Sequence, residues 1–180
     1  MNRKMYEYWF LRNEDVSYGR KKSILEYFFD SYNIYRATAK ELLESGLIEP
    51  KQIDSFIDNR SKFDLEREYE QFNHSPFSFI TMESEKYPEK LRNIYDPPYG
   101  FFYNGTLPDF NKCISIVGAR RCSTYGKKMA EVLGRELAKA GFTIISGMAR
   151  GVDAYGHKGC LEVEGETVAV LGSGLFEPNV

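Results

Sequence analysis

Three short apolar runs in the second half of the chain each end in glycine, and arginine follows two of them within a few residues. The runs end at Gly118, Gly147 and Gly172, with Arg120 and Arg121 after the first and Arg150 after the second. Glycine lets a backbone turn tightly and approach a ligand, while arginine donates paired hydrogen bonds to phosphate oxygens. These residue types therefore predict a phosphate-binding crevice.

The segments between the runs are amphipathic, so this region predicts strands and helices in alternation. Strands are expected at 114–117, 142–145 and 167–171, and helices at about 125–140 and 154–164. Such alternation is typical of a parallel sheet, in which ligands bind beyond the carboxyl ends of the strands. Because the arginines follow those ends, we expect them to meet at one edge of the sheet.

Polar side chains in the loops refine this expectation. Ser123 or Thr124 is placed to cap the first helix and Asp153 to cap the second, while Ser123 and Ser146 offer hydroxyls to phosphate. Helical spacing also predicts a buried apolar stripe along the first helix, made of Met129, Val132, Leu133 and Leu137.

Positive charge gathers around the same loops. The whole chain carries 24 lysines and arginines against 26 acidic residues, but residues 112–158 hold nine against three. The overall balance argues against a nonspecific polycation, and the local excess favours an anionic ligand at the glycine loops.

Several familiar phosphate-binding and catalytic motifs are absent. The first run leads into GARRCS, which lacks the GxGxxG dinucleotide fingerprint, and Gly126-Lys127-Lys128 lacks the earlier glycine and the following hydroxyl of a P-loop. Ser146, Asp153 and His157 match a hydrolytic triad by composition only. The three cysteines form no CxxC pair. We therefore expect no catalytic residues, no metal and no cofactor.

The amino-terminal part predicts a small all-helical domain over residues 1–72. Its aromatic and aliphatic side chains fall at helical spacing, with Thr38 placed to cap a helix, Gly46 to end it and Pro50 to open the next. The aromatic stripe favours core packing over the stacking of nucleic-acid bases.

The middle of the chain changes character. Residues 73–110 predict a linker with two strands, at 77–81 and 99–103, which join the edge of the sheet formed by 111–180. No apolar run reaches the length of a membrane span or of a signal-peptide core. We therefore expect a cytoplasmic protein with no membrane partner.

These motifs together resemble the DNA-processing protein A family, also called DprA or Smf. The family pattern is a strand leading into VGSRxxSxYG, a strand leading into SGxARGxDxxAH, and a strand ending in GxG. The chain carries VGARRCSTYG from Val117, SGMARGVDAYGH from Ser146 and LGSG from Leu171. Upstream, YPEKL from Tyr87 and DPP from Asp96 match the family's lead-in.

The resemblance implies a fold and a function. The fold is α/β, with a SAM-like helical domain before a Rossmann-like parallel sheet. Members bind single-stranded DNA, protect incoming strands and help load the recombinase RecA during natural transformation. Carried over by motif and position, the DNA contacts would be Gly118, Arg120, Arg121, Ser123, Ser146, Gly147, Arg150 and Gly172.

The chain also departs from the family pattern. Ala119 stands where the family has serine, and Phe176 stands where it has an acidic residue. Relatives continue beyond the position of Val180 with a part that helps form the homodimer and the RecA-binding surface, so the sheet is expected to be incomplete. Two alternatives stay open: a nucleotide-binding or nucleotide-cleaving enzyme that uses Asp153, and a remnant that folds without binding DNA.

Overall fold

The computed structural model describes residues 2–172, which divide into two compact units. The first unit ends at Gly105 and the second begins at Thr106.

Six helices open the first unit. They are α1 (Lys4–Arg12), α2 (Tyr18–Phe28), α3 (Ser31–Arg36), α4 (Ala39–Ser45), α5 (Pro50–Lys62) and α6 (Leu65–Asn73). The predicted signals around α4 and α5 are confirmed. Thr38 forms a capping box with Glu41, Gly46 adopts the left-handed conformation that ends α4, and Pro50 begins α5.

The core of the first unit forms around α1. Trp9 and Phe10 are buried, as are Ile24 of α2 and Phe56 of α5. Core packing is therefore confirmed for these members of the aromatic and aliphatic pattern, although Tyr27 is half exposed.

The unit closes with a two-stranded antiparallel sheet. Strand β1 (Ser78–Thr81) pairs antiparallel with β2 (Gly100–Tyr103), and helix α7 (Glu89–Arg92) lies between them in the chain. We expected these strands to join the edge of the parallel sheet, but they form a separate two-stranded sheet. This sheet packs on α1 instead, where Phe79 of β1 lies 5.9 Å from Tyr8 between ring centroids. Tyr99, the residue before β2, meets Phe10 edge to face at 4.8 Å.

The second unit alternates strands and helices, as the sequence predicts. A 3₁₀ turn (Phe110–Lys112) leads into the following elements: β3 (Cys113–Ser115), α8 (Thr124–Lys139), β4 (Thr143–Ser146), α9 (Val152–Leu161) and β5 (Thr167–Ala169). The strands are parallel in the order β3-β4-β5, with Cys113 opposite Thr143 and Ile144 opposite Thr167. The fold class is therefore α/β with a parallel sheet, as expected.

Both helices of this unit pack on one face of the sheet, because successive right-handed crossovers between neighbouring strands place them there. Their shared core contains Ile116, Ile144 and Cys160, with Leu137 and Val152 packed against it. The strands thus hold the loops that follow β3 and β4 next to the amino-terminal ends of α8 and α9.

Small residues hold α8 and α9 together. A Cβ on Gly134 would overlap the carbonyl oxygen of Gly156, and a Cβ on Gly159 would overlap that of Glu131. The predicted stripe on α8 is therefore wrong in part: Ala130 and Gly134 are its buried residues, and Leu133 is half exposed. The glycines of α9 bring the two backbones so close that α8 turns its small side chains inward.

Candidate functional site

The first loop of the site links β3 to α8. The side chain of Ser123 caps α8 by accepting a hydrogen bond from the Gly126 amide at 3.1 Å, which confirms the predicted cap. Gly118, Arg120, Arg121 and Ser123 are all exposed in this loop. They lie at the positive end of the α8 dipole, where an anion is favoured.

The second loop links β4 to α9 and packs against the first. Gly151 adopts φ of 89°, and a Cβ there would overlap the carbonyl oxygen of Ala119. The amide of Val152 donates to that same oxygen at 3.3 Å. Arg150 precedes this contact and is exposed, so the backbone of the two loops meets beside the arginines.

Asp153 joins the two loops, which corrects its predicted role as a helix cap. Gly151 occupies the cap position of α9 without a side-chain hydrogen bond, and Asp153 is the second residue of the helix. Its carboxylate accepts from the Gly118 amide at 3.3 Å and from the Gly147 amide at 3.2 Å. These two amides therefore bind the protein's own carboxylate, and the backbone contacts to phosphate expected from them are occupied.

Ser146 is likewise turned inward. It is 2% exposed, and its hydroxyl donates to the carbonyl oxygen of Ile116 at 2.5 Å. The side chain that we expected to contact phosphate instead ties the end of β4 to the residue after β3. The glycine at 118 also has a packing reason, because a Cβ there would lie 2.8 Å from a methyl group of Val152.

The third predicted position follows β5. The amide of Val170 donates to the Ser146 carbonyl at 2.8 Å, which carries the sheet pairing to the edge of the site. Gly172 is exposed, with open space where a Cβ would be. Ser173 and Gly174, the rest of this predicted loop, lie outside the described residues.

Cations without ion pairs collect at this edge of the second unit. Five of them form no ion pair with any residue in 2–172: Arg120, Arg121, Lys127, Lys128 and Arg150. In the sequence, Lys127 and Lys128 belong to the local positive excess and match a P-loop incompletely, but no motif connects them to the site. Their place at the start of a helix that follows an arginine loop, as its fourth and fifth residues, is the signal that connects them to the site.

The cations at the other end of the helices are paired. Arg135 binds Glu136 and Glu162, Lys139 binds Glu136, and Lys158 binds Glu131 at 2.9 Å. Within residues 2–172, the cations towards the carboxyl-terminal ends of α8 and α9 are therefore neutralised by ion pairs, whereas those at the loops are not.

His157 lies in the middle of α9, four residues after Asp153. Thr167 donates its hydroxyl to the Ile144 carbonyl at 2.9 Å, so it accepts from Nδ1–H of His157 across 2.6 Å. The other ring nitrogen, Nε2, is buried and has no hydrogen-bond partner among the described residues. Burial lowers the pKa of His157, although Asp153 acts in the opposite direction.

Three further observations bear on the functional alternatives. Within residues 2–172, no three histidine, cysteine or acidic side chains come together as metal ligands would. None of the helices described combines the length and apolar composition that crossing a bilayer requires. Asp153, on which the nucleotide-cleaving alternative depends, has one backbone amide bound to each of its oxygens.

The fold and site together define a Rossmann-like α/β protein with a cationic edge suited to phosphate. A profile of the family described as DNA recombination-mediator protein A matches residues 78–179. The chain therefore belongs to that family, which confirms the resemblance seen in its motifs.

Individual relatives agree with this assignment. Protein Smf of Synechocystis sp. is 32% identical over 159 residues, which cover 86% of this chain and 40% of that protein. Protein Smf of Escherichia coli is 40% identical over 107 residues, which cover 59% of this chain and 28% of that protein. The chain spans less than half the length of the curated relatives it matches.

A solved relative shares the fold. The X-ray structure of DNA processing protein A from Streptococcus pneumoniae superposes with a TM-score of 0.74 at 27% sequence identity. The match covers 96% of this chain and 59% of that one. The helical first unit and the three-stranded parallel sheet are thus parts of a known family architecture.

Proposed function

We propose that this chain binds the phosphate backbone of single-stranded DNA at the loop edge of its parallel sheet. The observation that carries the proposal is the group of five unpaired cations at the amino-terminal ends of α8 and α9. Phosphates are the anions that such an edge fits best, because side-chain cations and two helix dipoles act on them together. Binding without turnover is the role we assign to it.

Apolar side chains beside the cations favour a single strand over a duplex. Val117, Tyr125 and Val170 are 70%, 73% and 60% exposed, and Met148 is 42% exposed. An unpaired base can pack on such side chains, whereas the bases of a duplex are already stacked and paired. A strand held by its phosphates along the loops would bring its bases to these residues.

The contacts that we assign follow from exposure. Arg120 and Arg150 donate to phosphates from the two loops, and Arg121, Lys127 and Lys128 extend the positive edge. Gly172 leaves room for the strand beside the third loop. Ser123 contributes as the cap of α8, and Ser146, Gly118 and Gly147 act by shaping the loops.

Family membership extends the proposal to a cellular role. Relatives of this chain are named for DNA processing, and we propose that this chain acts on DNA in the cytoplasm. Its role would be to protect incoming strands and to assist RecA loading during transformation, with homodimer formation as in the family. This role is tested by measuring RecA-dependent ATP hydrolysis on single-stranded DNA coated with single-strand-binding protein. Addition of the chain should shorten the lag before hydrolysis, and an unchanged lag would contradict the role.

The binding step is tested by fluorescence anisotropy of a labelled oligo-dT, over a salt series and against a duplex of equal length. We expect the single strand to bind more tightly, with log affinity falling by about 0.7 per contacted phosphate for each tenfold rise in salt. Arg120→Ala combined with Arg150→Ala should weaken binding by roughly a hundredfold, because each charge-assisted contact contributes about tenfold.

The matched control removes two paired cations from the other end of the same helices. Arg135→Ala combined with Lys158→Ala removes the same two positive charges as the arginine double variant. It should alter oligo-dT affinity by less than about threefold, because these cations lie away from the loops and their exposed ion pairs contribute little to the fold. If both double variants lost the same affinity for oligo-dT, binding would depend only on the net charge of the protein, and the assignment of the site to this edge would be refuted. A folded wild type that binds no oligo-dT would refute the proposed function itself.

A further inference from the structure

We infer that Asp153 is a positioning residue, which sets the spacing between the two arginine loops so that one strand can engage both. The inference rests on the proposed function. It concerns a carboxylate beneath an anion site, where charge alone would oppose binding.

The geometry of Asp153 supports this role. The residue is 6% exposed, and each carboxylate oxygen accepts one backbone amide, Oδ1 from Gly118 and Oδ2 from Gly147. These amides belong to different loops, one after β3 and one after β4. Arg120 lies two residues beyond the first glycine and Arg150 three residues beyond the second. The carboxylate therefore holds the backbone at the start of each loop segment that carries an arginine.

The position of Asp153 on α9 makes its geometry rigid. The residue lies in the first turn of the helix, where the positive end of the dipole favours a carboxylate. The following turns of α9 are held against α8 by close glycine contacts. A side chain on a helix packed in this way has little freedom, so it can act as a fixed reference point for the loops.

Gly147 shows how closely the carboxylate approaches. A Cβ at this position would lie 3.1 Å from Oδ2 of Asp153 and 3.9 Å from the carbonyl oxygen of Val170. The backbone at Gly147 has no positive φ, so alanine fits its conformation and would press on the carboxylate alone. Glycine is explained here by the approach of Asp153.

Charge and position predict opposite results for Asp153→Asn. Removing a negative charge beneath a phosphate site would tighten DNA binding if charge were its only effect. An asparagine has one acceptor oxygen, so one of the two amides must lose its partner and one loop must become mobile. If Asp153 positions the loops, oligo-dT affinity should fall by about tenfold, which corresponds to the loss of one hydrogen bond to a charged group.

The experiment measures oligo-dT affinity and its salt slope for wild type, Asp153→Asn and Gly147→Ala. Both variants should weaken binding. They should also reduce the slope of log affinity against log salt by about 0.7, which is the contribution of one phosphate contact. Gly147→Ala keeps the charge and thus separates position from charge, and it serves if Asp153→Asn fails to fold. Glu164→Gln, an exposed carboxylate in the turn three residues beyond the end of α9, is the matched control and should bind like wild type.

Two further measurements distinguish positioning from a loss of stability. In an Arg120→Ala background the effect of Asp153→Asn should shrink to less than about twofold, because the loop spacing no longer matters once one arginine is gone. Amide exchange, followed by NMR without DNA, should speed up in Asp153→Asn at whichever of Gly118 and Gly147 loses its acceptor, while the amides of β4 stay protected.

The outcomes separate this inference from the proposed function. If wild type binds oligo-dT and Asp153→Asn binds it equally or more tightly, although a glycine amide exchanges faster, the positioning role is refuted. The DNA site would then remain as proposed. Absence of binding by wild type would refute the proposed function, and the positioning role would fall with it.

Discussion

The hydroxyl of Ser146 donates to the carbonyl oxygen of Ile116 across 2.5 Å, which links the ends of two neighbouring strands directly beneath the candidate site. Both residues are buried. The contact assigns a structural role to a serine whose motif position had suggested a ligand contact, and it leads to a direct test.

Ser146→Ala should lower the free energy of unfolding of the second unit by about 1 kcal/mol, since a buried hydrogen bond is lost. The salt slope of oligo-dT binding should stay unchanged, because the hydroxyl does not reach a phosphate. Amide exchange of β4 and anisotropy measure the two effects. The exposed Ser115→Ala is the control for stability, and a slope reduced by about 0.7 in Ser146→Ala would show a phosphate contact instead.

Gly134→Ala should destabilise the second unit by about 1–3 kcal/mol or more, because its Cβ would overlap the Gly156 carbonyl and force α8 and α9 apart. Hydrogen exchange of Ile144 and Ile145 in β4 measures this change. Gly126→Ala is the matched control in the same helix, where a Cβ meets only an ordinary contact of 3.4 Å. That variant should gain up to about 1 kcal/mol from helix propensity, and a loss of stability in both would point to a general intolerance of α8.

Local signals predicted those parts of the fold that depend on neighbours in sequence. Ser123 and Thr38 cap their helices because a hydroxyl three residues before an amide needs no distant partner. The alternation of strands and helices around the arginine loops likewise follows from periodicity, and so does the edge at which Arg120 and Arg150 both lie.

Contacts between distant segments could not be predicted in the same way. Asp153 bonds to amides 35 and 6 residues away, and only the packing of the two loops brings them together. Which residues of α8 are buried depends on which face of α9 carries glycine. The pairing of β1 with β2 likewise depends on their packing against α1. The sequence predicted the arginines of the two loops. It did not connect Lys127 and Lys128 with them, and it placed Asp153 as a helix cap rather than between the loops.

His157 should make the second unit less stable as pH falls below the ordinary histidine value of 6.5. Burial lowers its pKa in the folded state, so the unfolded chain binds a proton first and acid favours unfolding. Protonation would also place an N–H at Nε2, which has no acceptor among the described residues. His157→Asn keeps a donor near Thr167 without titrating.

Amide exchange of β4 between pH 7.5 and 5 tests this expectation, after correction for the intrinsic exchange rate. Wild type should lose stability across that range, and His157→Asn should lose less. His74→Asn removes the other histidine, which is exposed, and should behave like wild type. An equal decline in His157→Asn and wild type would assign the acid sensitivity to other groups.

Lys21 should make the first unit more stable as pH rises from 8 towards 10. The residue is 1% exposed, and its amine donates to the carbonyl oxygens of Phe10 and Leu11 at the end of α1, at 2.8 and 3.0 Å. Burial lowers the pKa of Lys21 from 10.5 to about 8, and the charge of Glu14 offsets this only in part. Above pH 8 the folded unit releases a proton that the unfolded chain retains, so the free energy of unfolding increases with pH.

The expected gain is at most about 3 kcal/mol, reached only if the titration is complete. It ends near pH 10, because burial raises the pKa of Tyr99 and Tyr87 and their ionisation then favours the unfolded chain. Urea unfolding followed by the fluorescence of Trp9, the single tryptophan and a core residue of this unit, measures the gain. Lys21→Met should abolish the rise and Lys22→Met should keep it. A flat profile in wild type would mean that the buried amine keeps its proton, held by the two carbonyl oxygens at the end of α1.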